Sequence, residues 1–455
     1  MRELSRKYLL ISLEILLIAL IFFFLTKFFE THFYPGTVIN GINVSFKTTE
    51  SADKRLSNGA TSYVLVLYER GNVKEQIKGS EIKLKLGVGS PTIKNQQNKT
   101  LWFLSYFNQS SIHIGDAFIF DENLLKERIN NLDCLNRSKV IEPKNAALVY
   151  SKGAYKVVKE VYGNKINESR FYSDVKSAVT NGIVELNLEK LKCYKGPKIR
   201  SDSQKLNNTK AAAESYLTSK IIYTFPGENE VVDENEIGEW IEFDRDLTIM
   251  FNKVKIMAFL NTLAAQYNTC GKVREFKTSS GSRIKVGGGD YGWKIDIDGE
   301  TMDLIQAILS GRTIEKEPIY SQKGAVHDLN DVGLTYVEID LSKQHLWYYI
   351  NGILIAHGDV VTGDVNDGYK TPEGIYSLKY RIKNAVLKGE NYQAKVTYWM
   401  PFNNDIGIHD ATWRSEFGGN IYLSRGSHGC VNAPYKLAEI LFNNITVGTP
   451  VVCYY

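Results

Sequence analysis

The feature that most constrains this chain is a long apolar stretch near its start, the seventeen residues Leu9 to Leu25, interrupted by Glu14. As a helix rising ~1.5 Å per residue it spans about 26 Å, close to the ~30 Å hydrocarbon core of a bilayer. Fourteen of the seventeen are Leu, Ile or Phe. Together they favour insertion by roughly 4 to 8 kcal/mol, whereas Glu14 costs about 3 kcal/mol at the centre and less toward an edge. Insertion wins. Arg2, Arg6 and Lys7 precede the run and only Lys27 follows closely, which predicts a cytoplasmic amino terminus. Thr26-Lys27-Phe28-Phe29-Glu30 is too bulky for a small-x-small cleavage site. Residues 1–27 are therefore expected to be an uncleaved, single-pass anchor, with everything after about residue 28 outside the cell membrane.

At ~150 residues per domain, 455 residues suggest about three domains. The 55 basic and 51 acidic residues leave a net charge of +4, so no electrostatic footprint asks for nucleic acid. Five cysteines stand far apart, at Cys134, Cys193, Cys270, Cys430 and Cys453. No CxxC pair occurs, which argues against a zinc ribbon or a thioredoxin-type centre. Outside the cytoplasm thiols oxidise, yet an odd number leaves at least one without an intrachain partner, a candidate reactive group.

Beyond the anchor, residues 28–145 read as an α+β region. Tyr63-Val64-Leu65-Val66-Leu67-Tyr68 alternates as a strand, and Asp121 caps a helix carrying Leu124, Leu125, Ile129 and Leu132. Residues 146–320 contain a weak repeat at an offset of 129: Tyr162-Gly163-Asn164-Lys165-Ile166 aligns with Tyr291-Gly292-Trp293-Lys294-Ile295. The same offset pairs Asp174 with Asp303, Ala178 with Ala307 and Gly182 with Gly311. Each copy reads as strand, short helix, helix-ending Gly and strand, so two related α+β modules are expected. Gly287-Gly288-Gly289-Asp290-Tyr291-Gly292 formally satisfies G-x-G-x-x-G. A dinucleotide site needs a helix to open there, and Trp293 to Ile297 alternates like a strand instead, so this is read as a turn. Residues 321–332 are polar and are expected to form a linker.

From residue 333 to 455 the strand signal is dense. Tyr336 to Asp340 alternates, and Trp347-Tyr348-Tyr349-Ile350 meets Ile353-Leu354-Ile355 across Asn351-Gly352, a type I′ hairpin signal. A mainly-β sandwich with one short helix is expected. The chemistry concentrates in Ile406-Gly407-Ile408-His409-Asp410 and Ser427-His428-Gly429-Cys430-Val431-Asn432. If Asn432 caps the helix carrying Leu437, Ile440 and Leu441, Cys430 lies just before its N-terminus, where amide dipoles favour a thiolate. Three readings stay open: a Cys430–His409 dyad, a metal site using His409, His428 and Cys430 that lacks a nearby fourth ligand, and a buried structural thiol.

The segment from about Gly333 to Tyr455 resembles the catalytic domain of the YkuD-type L,D-transpeptidases. The resemblance rests on His409 followed by Ser427-His428-Gly429-Cys430-Val431-Asn432, and on Tyr336 to Gln344, Val361-Thr362-Gly363 and Thr371-Pro372-Glu373-Gly374. The preceding repeats are similar to a peptidoglycan-binding domain found before it. The resemblance implies that Cys430 is the nucleophile and His409 the base, oriented by the carbonyl of Asp410. It implies that the amides of His428, Gly429 and Cys430 form the oxyanion hole. It places Asn432, Trp413, Ser427 and Tyr398 around the donor pocket, with Trp399 as a further wall. For Asn432, Trp413, Tyr398 and Trp399, capping or core packing is the competing role. The implied activity is 3→3 cross-linking of peptidoglycan stem peptides through a cysteine thioester. Donor and acceptor stems are the expected partners, carbapenem β-lactams the expected covalent inhibitors, and no metal or organic cofactor is called for. An L,D-carboxypeptidase or a non-catalytic wall-binding protein are the alternatives.

Overall fold

The apolar run is helical because nothing in it breaks a helix and no polar spacing demands otherwise. In the computed structural model, Arg2–Thr31 is a single α-helix of 30 residues. The structure describes residues 2–39, 41–87, 97, 101–107, 111–112, 118–328, 330–389 and 393–455. Leu4–Thr31 is long and apolar enough to cross a membrane, and its most apolar stretch is not buried within the protein. The chain packs into two units, residues 1–147 with 157–206, and residues 148–156 with 207–455.

In the first unit, Asn167 caps the helix Glu168–Thr180 by accepting from the Arg170 amide. Phe171, Val175, Ala178 and Val179 form its buried face, and Gly182 follows at φ +69°. The chain then enters the strand Glu185–Asn187. In the second unit Asp296, 129 positions on, caps Ile297–Leu309; Gly311 has φ +68°, and the strand Thr313–Lys316 follows. The repeat is therefore structural. It also reaches further upstream than the aligned residues. Glu185–Asn187 runs parallel to Val64–Tyr68, which forms a hairpin with Lys74–Lys78. Thr313–Lys316 likewise runs parallel to Lys220–Phe225, itself in a hairpin with Glu228–Val232. A module boundary at residue 145 is thus corrected: the first module draws its central strand from the 28–145 region. The intervening lengths differ between copies, so a gapless offset finds only the closing strand-helix-strand part of each.

The expected linker 321–332 does not form a free tether; Leu329 within it lies outside the described residues. Asp331 is fully buried and accepts from Arg274 Nε at 2.5 Å. The G-x-G-x-x-G segment is a turn, as its chemistry requires, between the strands Arg283–Val286 and Lys294–Ile295. The alternation expected over Trp293 to Ile297 stops after Ile295, because Asp296 starts the helix. Gly289, at φ +76°, passes so close to Ile375 that a Cβ would stand 2.0 Å from the Ile375 carbonyl oxygen.

The C-terminal region is the expected sandwich. One sheet runs β3-β2-β1-β9-β4, where β1 is Tyr336–Asp340, β2 His345–Ile350, β3 Ile353–Asp359, β4 Gly374–Ser377 and β9 Pro450–Tyr454. The other runs β5-β6-β7-β8, from β5 (Ile382–Lys388), β6 (Gln393–Asn403), β7 (Ile406–Asp410) and β8 (Val431–Ala433). The single helix α1, Tyr435–Asn444, follows β8. Asn351 and Gly352 take φ +48° and +79°, the left-handed pair that a type I′ turn needs. Val337, Ile339, Leu346 and Tyr348 of the first sheet meet Met400, Phe402, Ile408 and Val431 of the second in one core, closed by Leu437 and Leu441 of α1. Glu338 is fully buried rather than outward-facing. Its carboxylate accepts from the Ser279 amide (2.8 Å) and the Tyr454 hydroxyl (2.5 Å).

Candidate active site

The two chemically loaded segments meet because β7 and β8 pair in parallel, with His409 beside Asn432. This pairing overrides the expected helix cap. Residues Val431–Ala433 are strand, and α1 starts only at Tyr435, behind Pro434, which makes no side-chain cap. Asn432 is buried and caps nothing. Cys430 is accordingly removed from the helix dipole, and its thiol is pushed up to about 11 by burial, with the Gly407 amide opposing and Asp405 adding to the rise.

His409 is almost completely buried. Its Nδ1 lies 2.9 Å from the Asp410 carbonyl, an atom that only accepts, so Nδ1 carries the proton. The lone pair is then on Nε2, which accepts from Asn432 Nδ2 at 3.0 Å. Desolvation holds the imidazole below its ordinary value of 6.5, outweighing the Asp410 carbonyl. The resting pair is therefore neutral imidazole and neutral thiol. The Asp410 side chain works elsewhere, accepting the Tyr398 amide at 2.7 Å. Trp399 and Trp413 flank the His409 ring, with centroids 5.9 and 5.8 Å away.

His409, Trp413, Ser427, His428, Cys430 and Asn432 all line one cavity of about 500 Å³. Its floor is the 426–430 loop. Thr371 Oγ1 donates to the Gly429 carbonyl (2.7 Å), and Asp364 accepts the Gly426 amide (2.8 Å). Gly429 takes φ +117°, a conformation glycine alone adopts readily. Arg414 binds three acceptors at once: Asn432 Oδ1 (2.8 Å), the Arg425 carbonyl (2.8 Å) and the Gly426 carbonyl (3.0 Å). It thereby ties the loop to the residue that holds the base.

A family model described as "L,D-transpeptidase catalytic domain" matches residues 334–453. One described as "Putative peptidoglycan binding domain" matches residues 92–185 and 199–315. A cysteine-to-serine mutant of the Enterococcus faecium L,D-transpeptidase is 32% identical; the match covers 54% of this chain and 98% of that one, with a TM-score of 0.45. The chain belongs to the L,D-transpeptidase family. The Enterococcus faecium catalytic domain acylated by ertapenem is 39% identical over 27% of this chain and 98% of its own, with a TM-score of 0.25. No curated protein matches the chain.

Within this L,D-transpeptidase domain some positions differ from their expected roles. Tyr398 does not line the cavity. It shares a strand face with Met400 and Phe402, is buried in the core, and donates to Glu439 at 3.1 Å. Trp399, whose backbone pairs with His409, does not line the cavity either; it is buried with its ring 5.9 Å from the imidazole. Trp413 is 52% exposed and is no core residue. Ser427 reaches the cavity, but its hydroxyl is spent inside the loop, donating to the Cys430 carbonyl (2.5 Å) and accepting the Gly429 amide (3.1 Å). That bond removes Gly429 from the expected set of oxyanion donors in this resting state. Arg414 and Asp364 escaped sequence reasoning because neither lies in the His409 or Cys430 motif; an Arg and an Asp among loop glycines are the only local signal.

Proposed function

We propose that this L,D-transpeptidase is held at the membrane by its N-terminal helix and cross-links peptidoglycan stems 3→3 on the outer side. Cys430 attacks the carbonyl of the L-centre at the third residue of a tetrapeptide stem, and the terminal D-Ala leaves as its amine. The resulting thioester is then taken by the amine of a neighbouring stem. His409 Nε2 accepts the thiol proton, returns it to the leaving amine, and then takes a proton from the attacking amine. The observation that carries this reading is the fixed tautomer: with Nδ1 committed to the Asp410 carbonyl, the basic nitrogen sits in the same cavity as the thiol. In the resting structure Cys430 Sγ donates to the Asp405 carbonyl at 3.5 Å. Attack thus begins with Asn432 Nδ2 releasing the Nε2 lone pair and a turn of the thiol toward it. The Cys430 amide, next to the thiol, is the proposed principal oxyanion donor, worth about 3 kcal/mol of transition-state stabilisation.

The ertapenem-acylated relative supports β-lactams as acylating ligands of the same site. Incubating the full-length protein with a disaccharide-tetrapeptide and weighing the products tests the proposal. A dimer lacking one D-Ala is expected. Tripeptide alone identifies a carboxypeptidase, and unchanged substrate leaves a wall-binding role.

A further inference from the structure

A second chemically distinct group stands on the outer face of the first sheet, away from the cysteine. β2 and β3 pair antiparallel with His345 opposite Asp359 and Trp347 opposite His357. Alternation sends Leu346 and Tyr348 into the core, so His345, Trp347, His357 and Asp359 share the other face. β3 is the edge strand of its sheet.

His345 Nδ1 lies 2.6 Å from Asp359 Oδ1. An ionised carboxylate only accepts, so Nδ1 bears the proton and Nε2 presents its lone pair. That Nε2 is 3.1 Å from Nδ1 of His357. A tetrahedral metal ion at ~2.0–2.1 Å from each of two imidazole nitrogens sets them about 3.3 Å apart. The pair is within a few tenths of an ångström of that spacing before any ion arrives. A carboxylate behind one imidazole is also the usual support of a metal-bound histidine, fixing its tautomer and raising its basicity. Trp347 stands against the same ring, centroids 4.5 Å apart.

We infer that His345 Nε2 and His357 Nδ1 chelate a divalent transition-metal ion of the zinc class, with Asp359 orienting His345 from behind. Before the ion arrives the proton between the two rings is on His357 Nδ1, donated to His345 Nε2; on binding that proton passes to solvent while His357 Nε2 takes one up, and the freed Nδ1 lone pair goes to the metal. Water fills the remaining positions, since His357 faces solvent. The ion bridges β2 to β3. Beyond β3 the chain continues into Val361, whose amide donates to the Asn432 carbonyl, and Thr362, whose carbonyl accepts the Ser427 amide.

Zinc chloride titrated calorimetrically into the full-length protein carrying Cys430→Ser, which removes the competing site thiol, reads the affinity. One ion per chain that depends on His345 and His357 is expected, counted apart from any held by Glu69, Glu75 and Cys134. His345→Ala and His357→Ala should each weaken binding by roughly 100-fold or more, and Asp359→Asn by about 10- to 100-fold. Retention of affinity within threefold by either histidine variant, or no binding in the Cys430→Ser protein, would overturn the assignment. A measurement without substitution guards against a misfolded variant: zinc should slow diethyl pyrocarbonate labelling of both His345 and His357 in the wild-type protein while leaving His32 unaffected. Equal labelling of His345 and His357 with and without zinc would also overturn it.

Discussion

Arg414→Met is the substitution that best separates loop geometry from the reacting groups, because it touches neither Cys430 nor His409. It keeps an unbranched stem and removes the guanidinium that reaches Asn432 Oδ1, Arg425 O and Gly426 O. Hydrogen bonds from a charged donor are worth about 1.5–3 kcal/mol each when buried. The bond to Arg425 is exposed and is discounted; the other two are part-buried and count at the low end, about 3 kcal/mol together. For a unit of this size that lowers its melting transition by about 6–12 °C. The kinetic effect is separate. Asn432 loses its anchor, so the partner of His409 Nε2 and the loop that aims Cys430 both shift, and an ångström of misplacement costs about 10²-fold in rate. The assay is carbapenem acylation followed by intact mass on folded protein well below the melting transition. Acylation within threefold of wild type, together with an unchanged melt, would refute the clamp. Arg414→Lys keeps the charge but not the fork, and should rescue stability more than rate.

Other consequences follow from the same geometry. His409→Ala should lose about 10²–10⁴-fold in acylation, and His428→Ala, which alters a cavity-lining side chain packed on Tyr369 but no proton relay, should lose less; the reverse order in acylation rate would exchange their roles. The rate profile of kcat/KM should hold a plateau with its acid limb below the ordinary imidazole value of 6.5 and its alkaline change near the thiol value of about 11. A limb between pH 7 and 9 would contradict the neutral resting pair. Stability has its own sign: the unfolded His409 takes up a proton near 6.5 and the folded one only at lower pH. Its contribution is therefore present above 6.5 and is lost as pH falls below it, which chemical denaturation across pH 5 to 7 measures. Gly289→Ala forces a Cβ against the Ile375 carbonyl at a left-handed φ, and should destabilise that unit by at least ~2 kcal/mol in urea unfolding.

Much of this architecture is written in short-range pattern. The apolar helix, the Asn351-Gly352 turn and the two capped helices 129 residues apart depend on neighbouring residues alone. The site is legible in kind but not in detail, because its details depend on which strands pair. Asn432 reads as a helix cap until β8 is found beside β7; it then becomes the partner of His409. Tyr398 and Trp399 look interchangeable until the register sets Trp399 opposite His409, its ring 5.9 Å from the imidazole, while Tyr398 enters the core. The expected thiolate failed for the same reason, since a strand stands between Cys430 and the helix. Buried Glu338 could not be foreseen either: its partner Ser279 lies 59 residues upstream, in a different module.

The central claim is that Cys430 is the nucleophile, and the mass of the full-length protein after incubation with a carbapenem tests it most directly. Ring opening by the thiol adds one intact drug as a thioester, and peptide mapping should place it on Cys430 alone. Cys134, Cys193 and Cys453 are buried, and Cys270 lies outside the cavity that brings Cys430 and His409 together. Cys430→Ala should abolish the adduct and leave the melt nearly unchanged, while Cys430→Ser should fold and acylate far more slowly. An adduct on another cysteine, or one that survives in the Cys430→Ala protein, would contradict the account.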